Sequence, residues 1–323
     1  MLKNYNPIIV VAGEPYSVFL EILFKSLKNN KFKKPIILIV SSNLFIKQMK
    51  KLNYKFKVNL IDLEKIDYSN INSKHINIIN VNFKFTKTFD KISNKSNLYI
   101  NKCFKIALGL LKTKKFSGMI NGPISKKNFL NKKYLGITEF LAEKTLTTKN
   151  FAMLIYNRKL SVSPLTTHLP IKNVHKSINK KKLINQVKLI NNFYQTKFNN
   201  VPKIAITGLN PHCESNYSSS EEYNIIKPAI KYLKNKRFNV FGPFAADTLF
   251  MKENSKKYDV IIGMYHDQVL TPIKTLFGFN AINITLGLPF IRVSPDHGPN
   301  HSMLGKNLSN PKSLVQALKF LDK

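Results

Sequence analysis

Arginine is nearly absent from this chain of 323 residues: of 52 basic side chains only Arg158, Arg237 and Arg292 are arginine, and 17 acidic residues leave a formal net charge of +35. A surface built to read nucleic acid draws on arginine, whose planar fork matches phosphates and base edges. Here lysine is scattered with asparagine and isoleucine along the whole length, as in "NNKFKKP", "KSINKKKLINQ" and "KYLKNKRFN". That is the pattern expected of mutational drift in an AT-rich genome. No specific nucleic-acid partner is expected, only attraction to polyanions at low salt. Cysteine is as scarce: Cys103 and Cys213 are too few for a disulfide framework and have no CxxC spacing for a thiolate metal site. No run reaches the roughly 18 apolar residues of a membrane span. The start, "MLKNYNPIIVVAGEPYS", lacks the charged, apolar and small-residue succession of a secretory leader. A cytoplasmic protein with no membrane partner is expected. Neither GxGxxG nor GxxxxGK followed by Ser or Thr occurs, so no Rossmann fingerprint or P-loop is present.

With 43% hydrophobic residues the chain can bury a substantial core, and its length suits two lobes better than one. Apolar strand-like runs alternate with segments of helical spacing. "PIIVVAG", "PIILIVSS", "VNLIDL", "INVNF" and "GMING" read as strands, with helices over "SVFLEILFKSLKN", "NLFIKQMKKL" and "SNLYINKCFKIALGLLKTKKF". The theme repeats in "FAMLIYN", "LSVSPLTTH", a Lys-rich helix near Val174 to Phe198, "KIAITGLN", a helix from about Glu221 to Lys236, "DVIIGMY", "INITLGL" and a closing helix over "PKSLVQALKFLDK". This alternation predicts an α/β protein with mostly parallel sheet.

Glycine and histidine are few, and their positions are informative. Seven of the 12 glycines lie between Gly208 and Gly305, and five of the seven histidines are His168, His212, His266, His297 and His301. Three of these follow strand-like runs: "PLTTH" ends at His168, "ITGLNPH" at His212 and "IIGMYH" at His266. Ligands of open α/β sheets bind beyond the carboxyl ends of strands. One histidine in such a place is ordinarily a surface residue, but three equivalent ones suit a divalent ion with positions left open for substrate. Glu214, Asp247 and Asp267 lie near them in sequence. Asp247 and Asp267 either orient an imidazole, contact substrate or move a proton, or else start a helix or turn, and the sequence weighs these readings equally. Lys274, Asn283 and Arg292 follow in a stretch of apolar strand and turn residues. Arg292, kept in a chain that has nearly lost arginine, is the anion-binding candidate.

Taken in order, "INGP", "GITEF", "TTHLP", "GLNPH", "FAADTLF", "MYHDQ", "NITLGLPFIR" and "DHG" resemble the 4-hydroxythreonine-4-phosphate dehydrogenase family of vitamin B6 biosynthesis, nearly end to end. The resemblance implies two α/β/α domains with a central cleft, akin to isocitrate and isopropylmalate dehydrogenases: residues 1–130 with 285–323 in one, and residues 131–284 in a second, dimer-forming one. It implies a homodimer sharing its active site, and NAD- or NADP-dependent oxidation and decarboxylation of 4-phosphooxy-L-threonine, a small phosphorylated amino acid. His168, His212 and His266 fall on the family's metal ligands, with zinc favoured and magnesium or cobalt as alternatives. Ile137, Thr138, Lys274, Asn283 and Arg292 fall on substrate positions, and His297, Gly298 and Gly305 on the cofactor loop. Asp247, Asp267 and Lys274 are the catalytic candidates. The sequence departs from the family pattern at Ile137, where the family has His, at "GEPYSVFLE", at Val269 in "YHDQV", after "NPH" and at "DHGPN". The alternatives are a sister dehydrogenase for another phosphorylated hydroxy acid, such as a threonate phosphate, or a drifted basic binding protein.

Overall fold

The computed structural model describes residues 6–66, 71–130, 134, 136–145, 150–213, 217–295 and 297–323. Its strands are β1 (Ile8–Val11), β2 (Ile36–Val40), β3 (Val58–Ile61), β4 (Ile76–Asn80), β5 (Gly118–Asn121), β6 (Ala152–Tyr156), β7 (Ser161–Thr166), β8 (Ile204–Thr207), β9 (Val240–Phe244), β10 (Val260–Tyr265), β11 (Ile282–Leu286) and β12 (Arg292–Ser294). The chain divides into two compact units, residues 1–145 with 289–323 and residues 146–288. Among the described residues no helix is long and apolar enough to cross a membrane.

The first unit carries β1 to β5 and β12 in the order β3-β4-β2-β1-β5-β12, every neighbouring pair parallel. Parallel strands covered on both faces need near-continuous apolar runs. "IIVV" of β1 and "IILIV" of β2 provide them and are buried throughout. The chain moves outward from β1 through β2 to β3 at the edge, places β4 between β3 and β2, then returns through the helix Asn97–Leu111 to put β5 on the other side of β1. At this reversal the loops after β1 and β5 meet closely. A Cβ on Gly13 (φ +77°) would lie 2.5 Å from the Pro123 carbonyl oxygen, and one on Gly122 would lie 2.2 Å from that of Ala12, so only glycine fits.

The second unit has the order β11-β6-β7-β10-β8-β9. β6 runs antiparallel to β11 and β7, whereas β7, β10, β8 and β9 are parallel. Val162, Ala205, Ile261, Val269 and Ile273 are fully buried in its core.

Several sequence expectations need correction. The helix Ile137–Lys144 belongs with the first unit, where Phe140 packs edge-on against Phe104 and Phe129. β4 begins at Ile76, so Val81 to Phe83 lie beyond it. The Lys-rich helix breaks at Ile178 into Val174–Ser177 and Lys180–Phe198, because Asn179 caps the second piece by accepting from the Lys182 N–H at 2.9 Å. Residues 272–277, read as the start of a strand-and-turn stretch, belong to a helix, His266–Phe277, that buries Val269, Leu270 and Ile273 and holds Pro272 inside. β9 and β12 were not anticipated.

Candidate functional site

In the second unit, His168, His212 and His266 follow the carboxyl ends of three adjacent parallel strands. His168 stands two residues beyond β7, His266 opens the helix directly after β10, and His212 sits in the turn Pro211–Cys213 after β8. His168 (φ +47°) and His212 (φ +56°) are held in left-handed backbone, a conformation that costs a non-glycine residue about 1 kcal/mol or more and clusters at functional sites. The rings of His168 and His266 lie 5.9 Å apart between centroids. His266 Nδ1 is 2.7 Å from Asp267 Oδ1, and His212 Nδ1 is 3.9 Å from Asp247 Oδ2. Among the described residues no group of three or more His, Cys, Asp or Glu stands ready to hold a metal ion. Glu214 lies outside them. The donor set itself suits a borderline divalent ion: three imidazoles at neighbouring strand ends, one already oriented by a carboxylate.

Asp247 is in the first turn of the helix Ala246–Leu249, where its Oδ1 accepts from the Thr248 N–H at 2.9 Å, and Asp267 is in the first turn of His266–Phe277. Both therefore occupy helix starts as well as flanking a histidine. Lys274 is exposed in the last turn of that helix. Asn283, on β11, has a buried Oδ1 with no hydrogen-bond partner. A buried acceptor of this kind is costly unless a ligand donates to it.

In the first unit, Arg292 is 1% exposed. Its Nε donates to Asn121 Oδ1 at 2.7 Å and its Nη1 to Thr138 Oγ1 at 3.4 Å. Burial pulls its guanidinium down to about 10, opposed by the charge of Glu139, so it stays cationic at neutral pH. Arg292 lines a cavity of about 500 Å³ with Asn121, Ser125, Lys127, Ile137, His297 and Gly298 among its walls. Among the described residues no carboxylate lines it. An anion is the ligand this cavity suits. Ile137 gives it an apolar wall beside Thr138. His297 Nδ1 is 3.2 Å from the Gly298 carbonyl, and the loop is tied down by the Val18 N–H donating to Pro299 O at 3.1 Å. Gly305 is not part of this wall; its φ is +77° and it packs against the ring of Phe89.

Sequence reasoning missed Asn121, Gln268 and Glu222. Asn121 stood inside the quoted "GMING" and "INGP", and Gln268 inside "MYHDQ", with no role assigned to either. Glu222 is fully buried and accepts from the Leu209 and Asn210 N–H groups at 2.7 and 2.9 Å. Burial pushes its carboxyl up, but these donors and the Asn210 amide outweigh it and leave it below the usual range.

A family model described as pyridoxal phosphate biosynthetic protein PdxA matches residues 31–321. The 4-hydroxythreonine-4-phosphate dehydrogenase of Sulfurihydrogenibium sp. (strain YO3AOP1) is 36% identical over 316 residues, covering 96% of this chain and 96% of its own. That of Wigglesworthia glossinidia brevipalpis is 34% identical over 331 residues, covering 98% of this chain and 96% of its own. The crystal structure of 4-hydroxythreonine-4-phosphate dehydrogenase from Klebsiella pneumoniae superposes with a TM-score of 0.87 at 26% identity, over 98% of this chain and 97% of that one.

Proposed function

The chain belongs to the pyridoxal phosphate biosynthetic protein PdxA family, and on that premise we propose that it is an NAD-dependent, metal-dependent dehydrogenase of 4-phosphooxy-L-threonine. The observation that carries this reading is the placement of three imidazoles at the ends of β7, β8 and β10, two of them in left-handed backbone.

His168, His212 and His266 would hold one divalent ion, zinc before magnesium or cobalt because imidazole suits a borderline ion. Such an ion, when bound, polarises a hydroxyl or carbonyl oxygen as a Lewis acid. Asp267 accepts from His266 Nδ1 and so turns Nε2 outward as the ligating lone pair. Asp247, 3.9 Å from His212 Nδ1, is the candidate to hold the proton that the substrate hydroxyl loses. Arg292, kept in place by Asn121 and Thr138, would bind an anionic end of the substrate in its cavity, which no carboxylate lines among the described residues. Asn283 offers its unfilled acceptor to a substrate donor, and Lys274 supplies a cation. NAD, when bound, would supply the hydride acceptor for the substrate's secondary alcohol, and the β-keto acid so formed would lose carbon dioxide. His297 and Gly298 are the cofactor-side residues in this reading. A homodimer and a cytoplasmic location go with it.

The test is NADH formation from 4-phosphooxy-L-threonine with and without a chelator. Turnover that the chelator abolishes and zinc restores is expected; absent turnover would overturn the reading. The apolar wall that Ile137 gives the Arg292 cavity favours a second reading, a sister enzyme for another phosphorylated hydroxy acid. A panel of such acids in the same assay separates the two.

A further inference from the structure

The ladder between β8 and β10 ends at the pair Ile206 and Ile262. Beyond it one side chain takes over. Gln268 Oε1 accepts from the Met264 N–H at 2.7 Å and the Thr207 hydroxyl at 2.9 Å, and its Nε2 donates to the Gly208 carbonyl at 2.9 Å. Gln268 lies in the first turn of the helix that His266 opens, and Gly208 begins the loop that leads to His212.

That loop needs holding. His212 and Cys213 are consecutive left-handed residues, at φ +56° and +57°. From the other side Glu222 takes the Leu209 and Asn210 N–H groups on Oε1 and the Asn210 amide on Oε2 at 2.8 Å. Two glycines make room for these groups. A Cβ on Gly208 would stand 2.7 Å from Glu222 Oε1 and 2.6 Å from Cys213 Sγ; one on Gly263 would stand 3.0 Å from Gln268 Oε1 and 2.4 Å from Val269 Cγ1.

We propose that Gln268 is a positioning residue that clips the Gly208–His212 loop to the start of the His266 helix, with Glu222 bracing the loop's far side, so that His212 and His266 are set at a fixed separation. The proposal rests on reading these histidines as metal ligands. Gln268 touches neither ligand; it acts through the backbone that carries them. Groups that orient metal ligands in this way are worth roughly 10–100-fold in metal affinity when removed.

The experiment uses full-length protein and the variants Gln268→Met, which keeps the length and apolar stem but no hydrogen bonds, and Thr207→Val, which removes one of the three bonds. Zinc affinity is read by competition with a chromophoric chelator, and amide hydrogen exchange is followed in the metal-free protein. Gln268→Met is expected to weaken zinc binding roughly 10–100-fold and to speed exchange across 207–213 while leaving 161–166 unchanged. Thr207→Val should shift both in the same direction by less. Unaltered zinc affinity and unaltered exchange at 207–213 in a folded Gln268→Met protein would overturn the proposal. If that variant does not fold, unaltered exchange in Thr207→Val does so. A wild-type protein that takes up no zinc defeats the metal reading alone, because local exchange still decides whether Gln268 holds the loop.

Discussion

Asp267 Oδ1 lies 2.7 Å from Nδ1 of His266, its neighbour in sequence. An ionised carboxylate can only accept, so the contact places the ring proton on Nδ1 and leaves the lone pair on Nε2. Asp267→Asn can donate to Nδ1 instead and reverse that tautomer. It should weaken zinc uptake and metal-dependent NADH formation by roughly 10–100-fold, whereas His266→Ala should remove both. Titration with zinc, followed by turnover at saturating metal, checks the pair; equal zinc affinity in Asp267→Asn and wild type would refute the orienting role.

Arg292 should reveal itself in KM. A lysine there keeps the charge but loses the fork that bonds Asn121 and Thr138 at once. Arg292→Lys is expected to raise KM for the phosphorylated substrate about tenfold, or roughly 1.4 kcal/mol, with a smaller change in kcat. Asn121→Ala should move KM the same way by less, since Arg292 itself remains. Steady-state kinetics on both variants, with thermal unfolding to confirm folding, decides this.

Glu14 gives the first unit a pH dependence. Its carboxyl is 2% exposed, neither oxygen has a hydrogen-bond partner, and burial pushes it up to about 7 from 4.5, against a smaller downward pull from Ser96. The folded state therefore keeps a proton that the unfolded chain gives up. The contribution is fully present below about 4.5 and is lost as pH rises through about 7, in all about 3 kcal/mol. Glu14→Gln, neutral at every pH, should unfold at a higher temperature than wild type at pH 8 and at nearly the same temperature at pH 4.5. A uniform difference across that range would contradict the buried-acid account.

Val269 is fully buried against Gly263 and Ile261. Val269→Gly empties that space and puts glycine into a helix. The loss should be about 2–4 kcal/mol, visible as a lower denaturant midpoint with an unchanged slope. The same substitution should leave zinc binding intact if Gln268 keeps its three bonds.

The sequence made strands legible where burial on both faces left a continuous apolar run, as in β1, β2 and β10. It concealed elements in which a local rule is overridden by position. Pro243 in "FGPF" argues against a central strand, yet β9 lies at the edge of its unit's strand order, where a missing N–H is tolerated. Pro272 and Lys274 hid the helix that buries Val269, Leu270 and Ile273. The histidines at strand ends could be found because their position follows from strand direction alone. Asn121 could not, since its role exists only because Arg292, 171 residues away, is brought to it. Gln268 and Glu222 were hidden for the same reason: each works on the backbone of a distant segment, which leaves no spacing to read.

The left-handed backbone at His168 and His212 bears on how this chain has changed over time. Asparagine is among the side chains that adopt this conformation most easily, it is abundant in the chain, and its codons differ from those of histidine by one base, in the direction of an AT-rich genome. Both positions stand where substitution by asparagine would relieve strain and follow the compositional drift at once. On the metal-ligand reading proposed above, an asparagine there should give a more heat-resistant and catalytically silent protein, and a selection for thermostability alone would be expected to erase these two histidines first.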